Sequence, residues 1–563
     1  MLLQKAFAPA RIRPFAISLA PWLAAAIACS FALQVWLAFT RQVNWDEFWF
    51  LTRIYQYRQG NLAADLQTAY VHGFTWLVYV SDNVIGRIVA ARVLMLGFEA
   101  GTFWLIYTAA RRFASREAAL LGLFIYAALN YVLIHGASFR ADPVATFFLM
   151  AGVVIFLAAE LTWLSAIAGA LAIAIAGLVT IKSAFYLPVI AAIVLWHYLE
   201  TPARRTYALK LGAGIAVSAV FFAASYALHR ASLAPVHGSL AAAASGTAET
   251  VFASGVFART WPYMSQAILS NPVTFAAIAL GLKRCASDAM DAKTRMRSLV
   301  LLSFAFPFAT LFFYRNSYPY YYSFVLAPAA IVAAFGFEHM PRLWERAGWA
   351  IVCCVFFVLQ IPGTIQTDQI AQRATLAAVS KMFPTPVPYI DRCGMVSDYP
   401  HSRMFMSTWG MQIYRTRGAP ALQNAISQPN PPLFVIANTP VLQEAFAPGS
   451  QNIAPDYRLL PQDARALREN YIHQWGAIWV AGKDLGQLHA ARSIPILIPG
   501  TYTIESSAPV LIDNVRYKPS SIVMLTRGRH EVESISLQHV ILRYGDHLYR
   551  PSTPPPGDIF EGF

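Results

Sequence analysis

Val43-Asn44-Trp45-Asp46-Glu47-Phe48-Trp49 sets two adjacent carboxylates directly behind the first long apolar run of the chain, and that position decides how the rest is read. The run extends from about Phe15 to Phe39, long enough to span a hydrocarbon core of roughly 30 Å. Lys5, Arg11 and Arg13 precede it as they would in a signal peptide, but no small-residue cleavage site follows, so it is read as a retained first helix. Thr40 to about Asn83 then becomes a first outer loop rich in Trp, Tyr and Phe. Within it, Phe48, Leu51, Ile54 and Tyr55 recur at helical spacing and predict a helix from Trp45 to Gly60, lying in the interface or serving as an amphipathic connector.

Composition agrees. Of 563 residues, 57% are hydrophobic and 13% charged, and the mean hydropathy of +0.46 is too high for a soluble chain of this size. The net charge of +14 raises the question of nucleic acid. Its basic residues, however, lie in short clusters between apolar runs, as the positive-inside bias of a membrane protein requires. The five cysteines form neither a disulfide framework nor a metal-binding spacing.

Taken in order, spans are expected at about 15–39, 84–110, 117–135, 142–160, 163–180, 183–199, 210–228, 272–282, 298–314, 320–337 and 347–362, about eleven in all. An outer loop of small residues, His229 to Asn271, precedes the eighth. Basic clusters at Arg111-Arg112, Arg204-Arg205, Lys283 to Arg297 and Arg342/Arg346 follow even-numbered spans. The N-terminus is therefore expected in the cytoplasm and the C-terminus outside. Asp46-Glu47, Arg140/Asp142, Lys182 and Arg315 then share the outer face. Residues 1–363 are read as the membrane domain, with the first outer loop at 40–83, and 364–390, with Pro384, Pro386 and Pro388, as a linker. Residues 391–490 read as an α/β domain and 491–563 as a β-sandwich-like domain, where short alternating strands are broken by Gly500, Asp513-Asn514 and Gly528. The fold class is thus a polytopic α-helical membrane protein with a C-terminal α/β plus β-sandwich region on the outer side.

The chemistry-bearing residues gather at those outer span ends. Asp46 and Glu47 raise each other's cost of ionisation, which suits one of them to general-base work; a solvated acidic turn is the plainer alternative. Asp142 adds a third acid, and with Pro143 it also reads as the start of span 4, with Asp142 as the cap. Lys182 and Arg315 could neutralise a phosphate or simply snorkel. Arg315 precedes the aromatic run Tyr318-Pro319-Tyr320-Tyr321-Tyr322. Glu99, in mid-span, needs a partner or a wet cavity, and Arg92 lies two turns away. His72 lies late in the acidic loop, as a site residue or a surface histidine. No HExxH, P-loop, GxGxxG or GxSxG stands in a supporting context.

Five segments in this order resemble the GT-C glycosyltransferases, specifically the bacterial relatives of protein O-mannosyltransferases and of lipid A aminoarabinose transferases. They are Asp46-Glu47 after span 1, Ala91-Arg92-Val93-Leu94, Phe139-Arg140-Ala141-Asp142, Gly177-Leu178-Val179-Thr180-Ile181-Lys182, and Arg315 to Tyr322, covering about residues 15–340. The resemblance implies a GT-C-like membrane domain and an inverting hexosyl- or pentosyltransferase using a polyprenyl-phosphate sugar donor on the periplasmic side of a bacterial inner membrane. Asp46 matches the family's base and Asp142 its second acid, with Glu47 as a further catalytic candidate. Lys182 and Arg315, with Arg140, are the candidate ligands of the donor phosphate. Trp45, His72, Arg92, Tyr320 and Tyr321 are candidate substrate-lining residues. Many relatives have a proline-containing turn late in the first outer loop, which Val71-His72-Gly73-Phe74 lacks.

The acceptor, a hydroxyl on a periplasmic or cell-envelope glycolipid, polysaccharide or protein, is not implied more narrowly. A divalent ion (Mg or Mn) on Asp46, Glu47 and Asp142 is left open, since carboxylates alone do not establish one. Two other classes compete. A lipid or sugar transporter would use the outward acids and Glu99 as a path, but no internal repeat is visible. A non-catalytic polysaccharide-assembly protein would turn the acidic loop away from any lipid-accessible groove.

Overall fold

The computed structural model describes residues 18–158, 160–235, 261–402 and 404–560. The expected start of span 1, the basic residues before it and the middle of the 229–271 loop lie outside them. Helix α1 (Ala20–Thr40) leads through a short extended link into α2 (Trp45–Arg58), and α3 is Val84–Ala110. At 1.5 Å per residue, α1 and α3 are about 32 and 40 Å long, enough to cross a bilayer. Six helices pass that test of length and apolarity: α1, α3, Ile181–Glu200, Arg204–Ala231, Tyr321–Glu338 and Leu343–Ile365. The number rises to eight if two bent pairs each count as one span. This is a multi-pass membrane protein.

The difference from about eleven expected spans lies in spans 3–5, 8 and 9. The third breaks into Arg116–Ala127 and Asn130–His135, while Ala141–Phe156 and Trp163–Val179 are 16 and 17 residues long. In the eighth, Trp261–Ser270 meets Pro272–Asp288 at 95°. The break has a local cause: the residue before a proline is pushed out of the α region. Asn271 accordingly sits at φ −149° and caps the second helix by accepting from Thr274 N. In the ninth, Arg295–Ser303 and Phe306–Phe312 meet at 44°.

Tyr321–Glu338 is the axis of the bundle, every residue from Tyr321 to Phe337 being buried. Arg116–Ala127 and Pro272–Asp288 approach it closely at glycines. A Cβ on Gly122 would stand 2.7 Å from the Ala330 carbonyl oxygen, and one on Gly281 2.1 Å from that of Val332. Where lipid supplies no hydrophobic drive, such backbone approach is how helices gain packing.

Beyond Leu343–Ile365 and the helix Ile370–Met382 the described residues form eleven strands: β1 (Tyr389–Ile390), β2 (Phe434–Ile436), β3 (Tyr471–Trp475), β4 (Ile478–Leu488), β5 (Arg492–Ile496), β6 (Gly500–Glu505), β7 (Val510–Ile512), β8 (Val515–Tyr517), β9 (Ile522–Leu525), β10 (Gly528–Ser534) and β11 (Gln538–Tyr544). One sheet runs β1-β2-β4-β11-β6-β9, with β3 also on β4; the other runs β5-β10-β7-β8. Strand β4 is shared. Its first half pairs with β2 and β3, and its second half, from Gly482 to Leu488, pairs with β11. The expected boundary at 490/491 thus falls just past a strand that belongs to both sides of it.

The period-2 alternation of side chains gives the sheet two faces. Tyr389, Phe434, Ile436, Ile478 and Val480 join the same apolar core as Val43, Phe48, Leu51 and Ile54 of the first outer loop. Their neighbours Ile390 and Val435 turn to a second core under the helices of the C-terminal region. The predicted loop helix therefore forms, but under this sheet: Thr52 Oγ1 donates to the Gly394 carbonyl at 2.7 Å, and Phe560 packs against Trp45 and Phe48.

Candidate active site

Asn44 starts α2 with a capping box. Its side chain accepts from Asp46 N at 3.0 Å, while Glu47 Oε2 accepts from Asn44 N at 2.9 Å. The Asn-x-x-Glu spacing ahead of an apolar run is a readable signal for this cap. Successive helical residues point about 100° apart, so the two carboxylates face different surroundings.

Glu47 faces inward and is fully buried. Its Oε1 accepts from Arg92 Nε at 2.8 Å and Phe139 N at 2.8 Å, and its Oε2 from Arg92 Nη2 at 2.5 Å as well as from Asn44 N. Arg92 spends its remaining donors on the carbonyls of Arg41 (2.9 Å) and Gln42 (3.0 Å). Burial alone would raise the Glu47 carboxyl, but Arg92 and the two amides outweigh it and hold the group below the usual carboxylate range. With both oxygens doubly engaged, Glu47 has no capacity for substrate, and Arg92 is sealed behind it. Both residues brace the site, which corrects their expected catalytic and substrate-lining roles. Arg92 is also not the partner of Glu99, whose Oε2 accepts from the Tyr126 hydroxyl at 3.4 Å.

Asp46 faces a different group. Because Glu47 fastens Phe139 N, the next residue, Arg140, reaches Asp46 and pairs with it. Arg140 Nε stands 3.5 Å from Asp142 Oδ2, and Lys182 Nζ pairs with the other oxygen of Asp142. Tyr320 closes one side, with the Arg140 Cζ 3.5 Å from its ring centroid and Lys182 Nζ at 5.3 Å; Tyr321 lies 5.5 Å from Lys182. Asp142 is not the helix cap expected of it. The Ala141–Phe156 helix starts two residues earlier, with Arg140 at the cap position and no side-chain cap, and Asp142 is 2% exposed among the cations. Lys182 is placed by the turn after Val179, where Thr180 caps the Ile181–Tyr186 turn.

Three spaces lie at Arg140 or at the tryptophans of α2. A mainly apolar cavity of about 500 Å³ reaches Arg140 and is lined by Phe50, Tyr70, Val144, Leu178 and Phe221 among others. His72 lies on it, its Nε2 2.8 Å from His229 Nδ1 and its Nδ1 3.2 Å from the Tyr57 hydroxyl. A larger, more polar cleft of about 1330 Å³ opens beside Trp45, between the membrane helices and the C-terminal region. The third, about 1180 Å³, lies between Trp49 and the Thr408–Arg417 helix. Arg315, at the start of the aromatic run, donates to Gln412 of that helix.

Sequence reasoning missed Arg392. It follows β1, and its Cζ lies 3.6 Å from the centroid of the Trp45 ring. No local pattern marks it, because sheet topology alone brings it beside Asp46.

The carboxylates do not fit a divalent ion as they stand. Both Glu47 oxygens are occupied, Asp46 and Asp142 are paired to Arg140 and Lys182, and the described residues contain no group of three or more His, Cys, Asp or Glu side chains able to hold a metal.

No known family profile matches the sequence, and no curated protein matches it either. Solved structures do. The oligosaccharyltransferase of Archaeoglobus fulgidus in its apo form is similar at a TM-score of 0.50 and 10% identity, over 95% of this chain and 98% of that one. The same enzyme tethered to an acceptor peptide gives 0.50 at 9% identity, over the same shares. ArnT from Cupriavidus metallidurans in the apo state gives 0.50 at 13% identity, over 78% of this chain and 97% of that one. The chain therefore shares the overall fold of these solved structures, apolar helices followed by a β-rich C-terminal region on this side of the comparison.

Proposed function

We propose that this protein is a membrane glycosyltransferase that moves a hexosyl or pentosyl unit from a polyprenyl-phosphate donor to a hydroxyl of a cell-envelope acceptor, with inversion. The observation that carries this reading is the Asp46–Arg140–Asp142–Lys182 group, whose Arg140 lines an apolar cavity while Trp45, the residue before Asp46, lines a polar cleft. The cavity suits the prenyl chain, and Arg140 and Lys182 suit the phosphate. The fold neighbours, transferases by name, favour this over a transporter.

In the mechanism this supports, the donor phosphate competes with Asp46 and Asp142 for Arg140 and Lys182. That competition frees the Asp46 carboxylate. Asp46 then removes the proton of the acceptor hydroxyl, whose oxygen attacks the anomeric carbon from the cleft side. The bond from that carbon to the phosphate oxygen breaks, and its electron pair leaves with polyprenyl phosphate, where the two cations stabilise the developing charge. Attack from the face opposite the phosphate inverts the anomeric centre. Arg315, bonded to Gln412, would have to rotate to join them. Placement follows the charge bias: N-terminus in the cytoplasm of a bacterial inner membrane, C-terminal region in the periplasm.

The test is release of polyprenyl phosphate when the purified chain meets a panel of polyprenyl-phosphate sugars and envelope extract. Release that Asp46→Asn abolishes is expected; release that survives it in folded protein would remove Asp46 from the role of base, and no release with any donor would sink the reading.

A further inference from the structure

The group described above leaves two arginines of the larger cleft unused. Arg392 lies at its wall, and among the described residues its guanidinium makes no hydrogen bond and no ion pair; its Nε is buried without a partner. A buried N–H of this kind is costly, and native proteins rarely leave one unanswered. Its contact with the indole of Trp45 holds the guanidinium plane at the wall of the cleft.

Arg41, 9% exposed, lines the same cleft. It donates to the Thr364 carbonyl but forms no ion pair among the described residues, and burial together with Arg92 pulls it down to about 10. Against these two cations the described wall of the cleft offers one carboxylate, Asp558. Asp46, the residue after Trp45, is near enough to act electrostatically on Arg392. The cleft is thus cationic beside the base, on the side away from the apolar cavity.

We infer that the acceptor carries an oxyanion, a phosphate or a carboxylate, which Arg392 and Arg41 bind in this cleft so that a nearby hydroxyl reaches Asp46. A neutral acceptor would leave both guanidinium groups desolvated and unanswered. The bidentate fork of arginine matches a planar carboxylate or two phosphate oxygens equally well, so the two sources share one recognition chemistry. The roles of Arg392 and Arg41 are binding and positioning, and they rest on the glycosyltransferase reading for what they position.

The test uses the full chain in detergent, with farnesyl phosphate added to saturation so that the donor phosphate site is filled. Glucose 6-phosphate, glucuronate and methyl glucoside are then titrated and their binding read by calorimetry. The expected result is at least tenfold tighter binding of one anionic sugar than of methyl glucoside. Arg392→Gln is expected to erase that preference, Arg392→Lys to keep part of it, and farnesyl phosphate binding to change less than twofold. Preference for glucose 6-phosphate assigns a phosphate and preference for glucuronate a carboxylate. Equal binding of all three sugars by the unaltered chain would overturn the inference, as would Arg392→Gln losing farnesyl phosphate in parallel. If Arg392→Gln lowers the melting temperature, Arg392→Lys and Arg41→Gln decide: preference untouched in both overturns it. Absence of polyprenyl phosphate release from every donor would sink the enzymatic reading without altering this anion preference, so the two failures are distinguishable.

Discussion

Asp46 and Glu47 are neighbours in the chain and belong to different parts of the molecule. Glu47 and Arg92 make a closed unit in which every carboxylate oxygen and most guanidinium N–H groups have fixed protein partners. Asp46 and Arg140 belong to another, two acids and two cations in one chain of ion pairs, of which Arg140 borders a cavity. A rotation of about 100° about the helix axis separates the two settings. The closed pair fixes Phe139, and through it the position of Arg140, so the second group inherits its geometry from a residue that takes no part in its charge balance.

The contrast can be broken most sharply at Asp46. Asp46→Asn is expected to lower turnover by about 10²–10⁴-fold, measured as polyprenyl phosphate release, with a smaller loss of melting temperature than at the fully buried Glu47. Glu47→Gln should do the reverse in kind: removing one partner of a buried ion pair costs about 3–5 kcal/mol of stability, read by denaturation in detergent.

The same unit sets an acid limit. Because the folded Glu47 lies below its ordinary value of 4.5, its stabilisation is complete above that value and is lost as the pH falls through the lower, folded one. Melting curves followed downward from about pH 6 should therefore show an acid slope that Glu47→Gln lacks, and equal slopes would place the effect elsewhere. Lys182→Ala should weaken donor binding by about 1.5–3 kcal/mol, the worth of a charged hydrogen bond, with a smaller effect on acceptor use; equal effects on both would remove it from the phosphate. The smallest change is expected at the contact of the loop helix with the C-terminal region. Gly394 has φ +73°, and a Cβ there would meet Thr52 Oγ1 at 2.3 Å. Gly394→Ala should lower stability by about 1–2 kcal/mol, seen in the melting temperature.

How much of this could be read from the sequence follows from range. Apolar runs and basic clusters disclosed the membrane bundle, because length and charge bias are local. The Phe48, Leu51, Ile54 spacing disclosed α2, and Asp46, Arg140, Asp142 and Lys182 were legible as span-end charges on one side. What was not legible depends on contacts between distant segments. The Asn44-x-x-Glu47 spacing marks Glu47 as the capping residue, but its sealing by Arg92 and the Phe139 amide comes from distant segments. Asp142 looked like a cap because Asp-Pro usually starts helices, and tertiary ion pairs took it instead. The boundary at 490/491 followed a change of pattern and could not register that β4 pairs on both sides of it. Arg392 carried no signal at all.

The sheet face buried on α2 also sets a schedule for assembly. Phe48 and Leu51 leave the ribosome roughly 380–430 residues ahead of their core partners Phe434, Ile436 and Val480. At ordinary rates of synthesis that interval is roughly 20–90 s. Through it the helix bearing Asp46 lacks its cover, and Trp45 lacks Arg392. The membrane half can meet its lipid before the acidic loop is covered, and a product truncated ahead of Phe434 would occupy the bilayer without that cover.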